Sequence, residues 1–136
     1  MVVAAKRRQP SRAKKRYQAI GGAAEFMIAC DSEVLYEGVA NAGKTRAVCE
    51  KTHYLCSKIP GLRVLWVRKT RKSMTESVLV TFEEHVLPRH HPCIHGTASR
   101  AHRDSYEYPN GSSIVLGGMD NPDRIMSTEY DVIVYF

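Results

Sequence analysis

The chain has no apolar run approaching the roughly 18 residues that a bilayer crossing requires, so nothing in the sequence predicts a membrane-spanning helix. Its opening, MVVAAKRRQPSRAKKRYQ, puts charges where the apolar centre of a secretory leader belongs, which argues against a signal peptide. The four cysteines, Cys30, Cys49, Cys56 and Cys93, form no C-x-x-C pair. A redox dithiol and a zinc-ribbon spacing are therefore not indicated, and reduced thiols in a cytosolic protein fit the pattern. There is no internal repeat. No acid occurs in the first 20 residues, where Lys6, Arg7, Arg8, Arg12, Lys14, Lys15 and Arg16 supply seven bases. The whole chain has 20 bases and 14 acids, so this tail accounts for the basic pI and the remainder is close to neutral. Such a tail suits either a solvated, disordered arm or contact with nucleic-acid phosphates.

The most specific stretch is YEGVANAGKTRAV, residues 36–48. From Gly38 to Thr45 it fits G-x-x-x-x-G-K-S/T at every fixed position. In that motif the glycines let the backbone fold tightly, so that N–H groups of Gly38, Val39, Ala40, Asn41, Ala42 and Gly43 can turn toward a phosphate. Lys44 would reach the β- and γ-phosphates of ATP, and Thr45 would offer its hydroxyl to Mg²⁺. Context supports the motif: residues 33–37 read as a short strand, and residues 45–58 as a helix ending near Pro60-Gly61. Residues 62–67, LRVLWV, form a continuous apolar run of the kind buried in a parallel sheet. The predicted architecture is one α/β domain, a P-loop three-layer fold with a mostly parallel sheet, over residues 17–136, behind a tail of residues 1–16.

Further along, Arg68-Lys69-Thr70-Arg71-Lys72-Ser73 reads as a basic loop at a strand's C-terminal end, the edge where open α/β sheets bind ligands. Ser73-Met74-Thr75-Glu76 fits a capping box. Met74, Val78, Phe82 and Val86 then give a helix with an apolar stripe suited to core packing. Residues 90–103 read as loop. Pro109-Asn110-Gly111 is a turn signal between two strand-like segments, so a β-hairpin is expected. Residues 117–124 read as loop, residues 125–127 as a helical turn, and residues 130–136 as a final buried strand. Two clusters resemble metal ligand sets. Cys49, His53 and Cys56 could share a helix face, but core packing of small thiols is the expectation. The run from His90 to His95 lacks a second cluster at zinc spacing.

A P-loop enzyme also needs an acid at the end of a second apolar strand to help hold Mg²⁺. The candidate strand, residues 132–136, carries none at its far end, and Asp131 sits at its beginning. A fragment ending before its catalytic acid is the expectation.

Three stretches carry a resemblance: GVANAGKTRA; LRVLWVRKTRKSMTESVLVTFEEHVLP; and YPNGSSIVLGGMDNPDRIMSTEYDVIVYF. Together they resemble the large subunit of tailed-phage terminases, from about residue 33 to 136 and more loosely back to Tyr17. That resemblance implies the N-terminal part of an additional-strand P-loop ATPase domain, followed in the family by a coupling motif and an RNase H-like nuclease. It implies ATP and Mg²⁺ as cofactors and double-stranded DNA as the translocated substrate. The implied partners are the terminase small subunit, the portal protein and further copies in a ring docked on a procapsid, in the host cytoplasm. It further implies Arg124 as a candidate arginine finger toward a neighbour's γ-phosphate, and Gln18 as a reader of adenine. Arg68 and Arg71 lie in the family's basic segment, where they contact nucleotide or DNA or form a solvated turn. The rival classes are a P-loop kinase or small NTPase with a soluble substrate, and a non-catalytic nucleotide- or DNA-binding module.

Overall fold

The computed structural model describes residues 16–94, 99–126 and 128–136, apart from the side chain of Arg124. The rest of the basic tail therefore lies outside the described residues, as do positions 95–98 and Ser127.

The fold is built around β1, Arg63–Arg68. Val64, Leu65, Trp66 and Val67 are four consecutive buried side chains, so this strand can face water on neither side. It takes a parallel neighbour on each edge. On one side lies β3, Ser113–Gly118, with Val64 opposite Ile114 and Trp66 opposite Leu116. On the other lies β4, Val132–Tyr135, with Val64 opposite Val132 and Trp66 opposite Val134. The antiparallel strand β2, Ser105–Glu107, pairs with β3 and completes the order β2-β3-β1-β4. The result is an α/β fold with a mixed, mostly parallel four-stranded sheet. No described helix is long and apolar enough to cross a membrane.

The helices are α1 (Gly22–Ile28), α2 (Lys44–Lys58), α3 (Arg71–Glu76), α4 (Val78–Thr81) and α5 (Asp123–Met126), with a π-helical turn at Phe82–Val86 and a 3₁₀ turn at Arg100–His102. One face of the sheet carries the main core. There Cys49 and Cys56 of α2 meet Val64, Trp66, Met74, Val78, Leu79, Phe82 and Tyr106. Three rings interlock edge to face: Trp66 to Phe82 and Phe82 to Tyr106, each pair with centroids 4.9 Å apart. The opposite face has a smaller cluster of Leu65, Val67 and Ile125, while Ile133 and Tyr135 of β4 stay exposed.

Several sequence expectations match this arrangement, namely the helix of residues 45–58, the strand at LRVLWV, the hairpin and the existence of the last strand, although that strand is not buried as expected. Four others differ. Residues 33–37 form no strand. A strand exists through its ladder partners, and this segment has none: Val34 and Leu35 are exposed, and Tyr36 stacks on Phe26 at 4.9 Å. The helix is capped three residues earlier than the expected capping box, and not by a box. Thr70 is the N-cap of α3 and accepts a hydrogen bond from the Ser73 amide, so half of the expected basic loop is helix.

The single helix of the apolar stripe is instead interrupted at Ser77 and ends in a π-turn. Met74, Val78, Phe82 and Val86 are all buried, as the stripe requires. A strict four-residue repeat drifts by roughly 40° per step on an α-helix. Wider π geometry reduces that drift, and the Ser77 hydroxyl, donating to the Ser73 carbonyl, loosens the ladder where the break occurs. Finally, Gly117 and Gly118 belong to β3 rather than to a loop. Their lack of side chains is what lets neighbours approach. A Cβ on Gly118 would lie 2.6 Å from the Arg71 amide nitrogen and 2.0 Å from an Asp120 carboxylate oxygen.

Gly118→Ala should therefore push α3 off the end of β3 and destabilise the fold by about 1–3 kcal/mol. Urea unfolding checks this, and an unchanged midpoint would show that α3 can move away at no cost.

Candidate functional site

The chain reaches α2 through the loop of residues 38–43. Two residues here adopt left-handed backbone, Asn41 at φ 60° and Gly43 at φ 77°. Gly43 is the N-cap of α2 and brings no side chain to cap it. The first helical bond runs from the Ala47 amide to the Gly43 carbonyl at 3.0 Å, so the amides of Lys44, Thr45 and Arg46 precede it. These amides and the positive end of the helix dipole favour an anion there. Lys44 folds back over the loop, its ammonium donating to the carbonyls of Gly38 at 2.5 Å and Val39 at 2.6 Å. The Val39 carbonyl also accepts from the Ala42 amide at 3.4 Å. Residues 37–43 are exposed, so the loop is open to a ligand. Thr45 lies in the first turn beside Lys44.

Geometry places this loop at the sheet edge where the parallel strands end. The 15 residues of α2 span roughly 22 Å, and six-residue β1 spans roughly 20 Å. A short connection joins the two, so α2 begins at the level where β1 finishes.

The segment ahead of the loop lies along α2. Lys51 donates to the carbonyls of Phe26 at 2.8 Å and Ala29 at 2.6 Å, closing the C-terminal end of α1, and its ammonium lies 4.7 Å from the Phe26 ring centroid. Arg46 covers the Tyr17 ring at 5.0 Å and pairs with Glu50 at 3.5 Å. Burial, then the Glu50 carboxylate, raises the Tyr17 pKa. Gln18 is exposed next to Tyr17. The structure thus brings the segment carrying Gln18 to the helix that carries Lys44. Lys51 and Arg46 were not singled out in the sequence, although a signal existed: Lys44 and Lys51 are seven apart, and so share one face of α2.

Arg68 and Arg71 do not form a solvated turn. Arg68 donates to the Ser77 hydroxyl. Arg71 donates to Thr75 Oγ1 at 2.6 Å and to the carbonyls of Arg100 and Arg103. Both are half-buried and committed within the fold, which leaves Lys69 and Lys72 as the exposed bases of that segment. A neighbouring hub centres on Glu83, which accepts from Arg100 at 2.8 Å and Tyr106 at 2.7 Å and pairs with buried Arg103 at 2.9 Å. This network ties the π-turn to the hairpin. Arg124 sits in α5, and its side chain lies outside the described residues.

The cysteines pack as core. Burial pushes the Cys56 and Cys93 thiols up to about 12 and raises Cys49 as well. Among the described residues no group of three or more His, Cys, Asp or Glu is arranged to hold a metal ion; His95 lies outside them. Asp131 marks the start of β4, its carboxylate accepting from the Arg63 amide at 2.8 Å.

Because α1 has no buried residue, its tethers are the Lys51 hydrogen bonds to its C-terminal end, beside the Phe26–Tyr36 stack. Lys51→Met should leave the sheet intact and cost about 1 kcal/mol, with faster amide exchange confined to residues 22–28. Unchanged exchange there would mean that α1 is held by other contacts.

No protein-family model, no curated protein and no solved structure matches the chain.

Proposed function

We propose that residues 38–45 bind the phosphates of ATP, and that the chain is the ATP-binding part of a phage terminase large subunit. The observation that carries the nucleotide reading is the loop itself. A cationic ammonium is gathered over loop carbonyls at the uncapped start of a 15-residue helix. An incoming triphosphate offers Lys44 charged oxygens in place of neutral carbonyls, a stronger interaction. The first-turn amides of α2 add donors that need no rearrangement of the helix.

The donor set fits Mg²⁺ in a limited way. Thr45 supplies one neutral oxygen, and Mg²⁺ commonly keeps waters and nucleotide phosphates as its other ligands. Bound there, the ion neutralises charge on the β- and γ-phosphates. Asp131 is not suited to assist. It lies at the N-terminal end of β4, engaged with Arg63, while the loop lies at the other end of the sheet. The terminase resemblance implies a further acid that completes the ATPase.

The finer fold assignment, an additional-strand P-loop ATPase, is consistent with two features. β4 has a free outer edge, and residues 33–37 have strand character without a partner. The remaining elements rest on the resemblance. They are translocation of double-stranded DNA into a procapsid, a ring of copies with the small subunit and portal, a nuclease domain, adenine reading by Gln18, a finger role for Arg124, and a host-cytoplasm location.

Lys44→Ala should weaken Mg²⁺·ATP binding at least tenfold, or roughly 1.4 kcal/mol, read by titration calorimetry on the whole chain. Thr45→Ala should instead lower affinity only when Mg²⁺ is present. Wild-type affinity in the Lys44 variant would remove the site. Intact ATP binding without DNA-stimulated turnover in a chain extended past Phe136 would leave the nucleotide site and overturn the motor.

A further inference from the structure

Nine residues after Lys44 on the same helix stands a cluster that the nucleotide reading does not use. His53 Nδ1 lies 2.8 Å from the Tyr108 hydroxyl. The His53 ring meets His91 edge-on at 5.2 Å, and His91 meets Tyr108 at 5.4 Å. The Phe82 ring closes a further side, with centroids 6.3 Å apart. Three parts of the fold converge here: α2, the turn after the π-helix, and the hairpin. The Cys93 amide donates to His91 Nδ1 at 3.2 Å, which fixes the second imidazole in place.

We propose that His53, His91 and Tyr108 form an acid-sensitive latch that clamps the helix carrying the phosphate loop against the β2–β3 hairpin. The ionisable groups around it come from four elements. On α2 these are Cys49 and Cys56, while Glu50 is already paired with Arg46. On the turn stand His91 and Cys93, with Arg89 and His90 exposed beside them. On the hairpin stand Tyr106 and Tyr108, and on the π-turn Glu83, Glu84 and His85. Glu83 and Glu84 are taken by Arg100, and Glu83 by Arg103 as well. Among the described residues no carboxylate forms an ion pair with His53 to compensate a charge on it.

Burial, then the neighbouring His91, lowers the His53 pKa from 6.5 to about 4, and burial lowers His91 too. Between those values the unfolded chain binds a proton that the folded chain resists. The latch therefore contributes fully above about pH 6.5 and is lost as pH falls toward 4. Protonating one imidazole also raises the cost of protonating the other at 5.2 Å, so the two titrate as a coupled pair. Opening at this point would free the middle of α2 while β1 and its parallel partners remain paired.

The test uses the whole chain. In NMR titration, one histidine should titrate near 4 and vanish from the low-pH group in His53→Gln, which keeps a hydrogen-bonding partner for Tyr108. From pH 7.5 to 5 the wild type should lose roughly 4 °C or more of thermal midpoint, and His53→Gln should lose clearly less. Over the same range, amide protection, taken relative to the intrinsic exchange rate at each pH, should fall in residues 50–57 and 106–110 before it falls in 63–68. The latch is overturned if His53 titrates near 6.5, or if the variant loses as much midpoint as the wild type. Should the variant fail to fold, the wild-type titration and exchange order decide alone.

Discussion

The rest of the structure depends on β1 being buried on both faces. Val64 and Trp66 point into one cluster, Leu65 and Val67 into the other, and parallel neighbours close both edges. The helix that enters β1 is α2, which starts with the glycine-lysine loop and packs on the sheet without linking two strands, whereas the parallel neighbours β3 and β4 need crossovers. The crossover that leaves β1 begins with α3, pressed so close to the end of β3 that position 118 admits only glycine without a shift. The loop's place at the strands' C-terminal edge is thus a consequence of chain direction.

The two sides of α2 are held by different physics. Toward the sheet, Ala47, Cys49, Thr52 and Cys56 are buried, and the Thr52 hydroxyl is satisfied locally by the Val48 carbonyl at 2.9 Å. Toward the N-terminal segment, contacts are cationic and aromatic: Arg46 with Tyr17, and Lys51 with Phe26 and the end of α1. α1 buries no residue, and Ile20, Ile28, Leu35 and Val39 remain exposed. Surface contacts of this kind contribute modestly and depend on salt. The segment before the loop is therefore the low-stability part of the molecule, and the helix after it belongs to the rigid part. A loop between such regions can adjust its backbone without disturbing the core.

Legibility in the sequence followed the range of the interaction. Continuous apolar runs announced β1 and β4, and Pro109-Asn110-Gly111 announced the hairpin, because burial and turn chemistry act locally. The Gly38–Thr45 motif was legible because its spacing is fixed by the backbone. Residues 33–37 were misleading for the opposite reason. Strand propensity states a preference, whereas a strand needs a partner, and this segment pairs with none of the described strands. The roles of Arg68 and Arg71 were equally hidden. A run of bases looks like a solvated surface until the carbonyls of Arg100 and Arg103, some thirty residues away, are seen to accept from one of them.

That last case bears on how charge should be read in this fold. Glu83 collects two arginines and a tyrosine, Arg71 joins α3 to the 3₁₀ turn, and Asp131 sets the register between the starts of β1 and β4. Each of these charged side chains joins segments distant in sequence, in places where apolar packing alone would leave backbone groups without partners. The charges at the C-terminal edge of the sheet are of both signs: Lys44 at the loop and Lys69 and Lys72 beyond β1, with exposed Asp120 and Asp123 beyond β3. Of these, Lys44 is the one that stands at the loop itself, held there by the carbonyls of Gly38 and Val39.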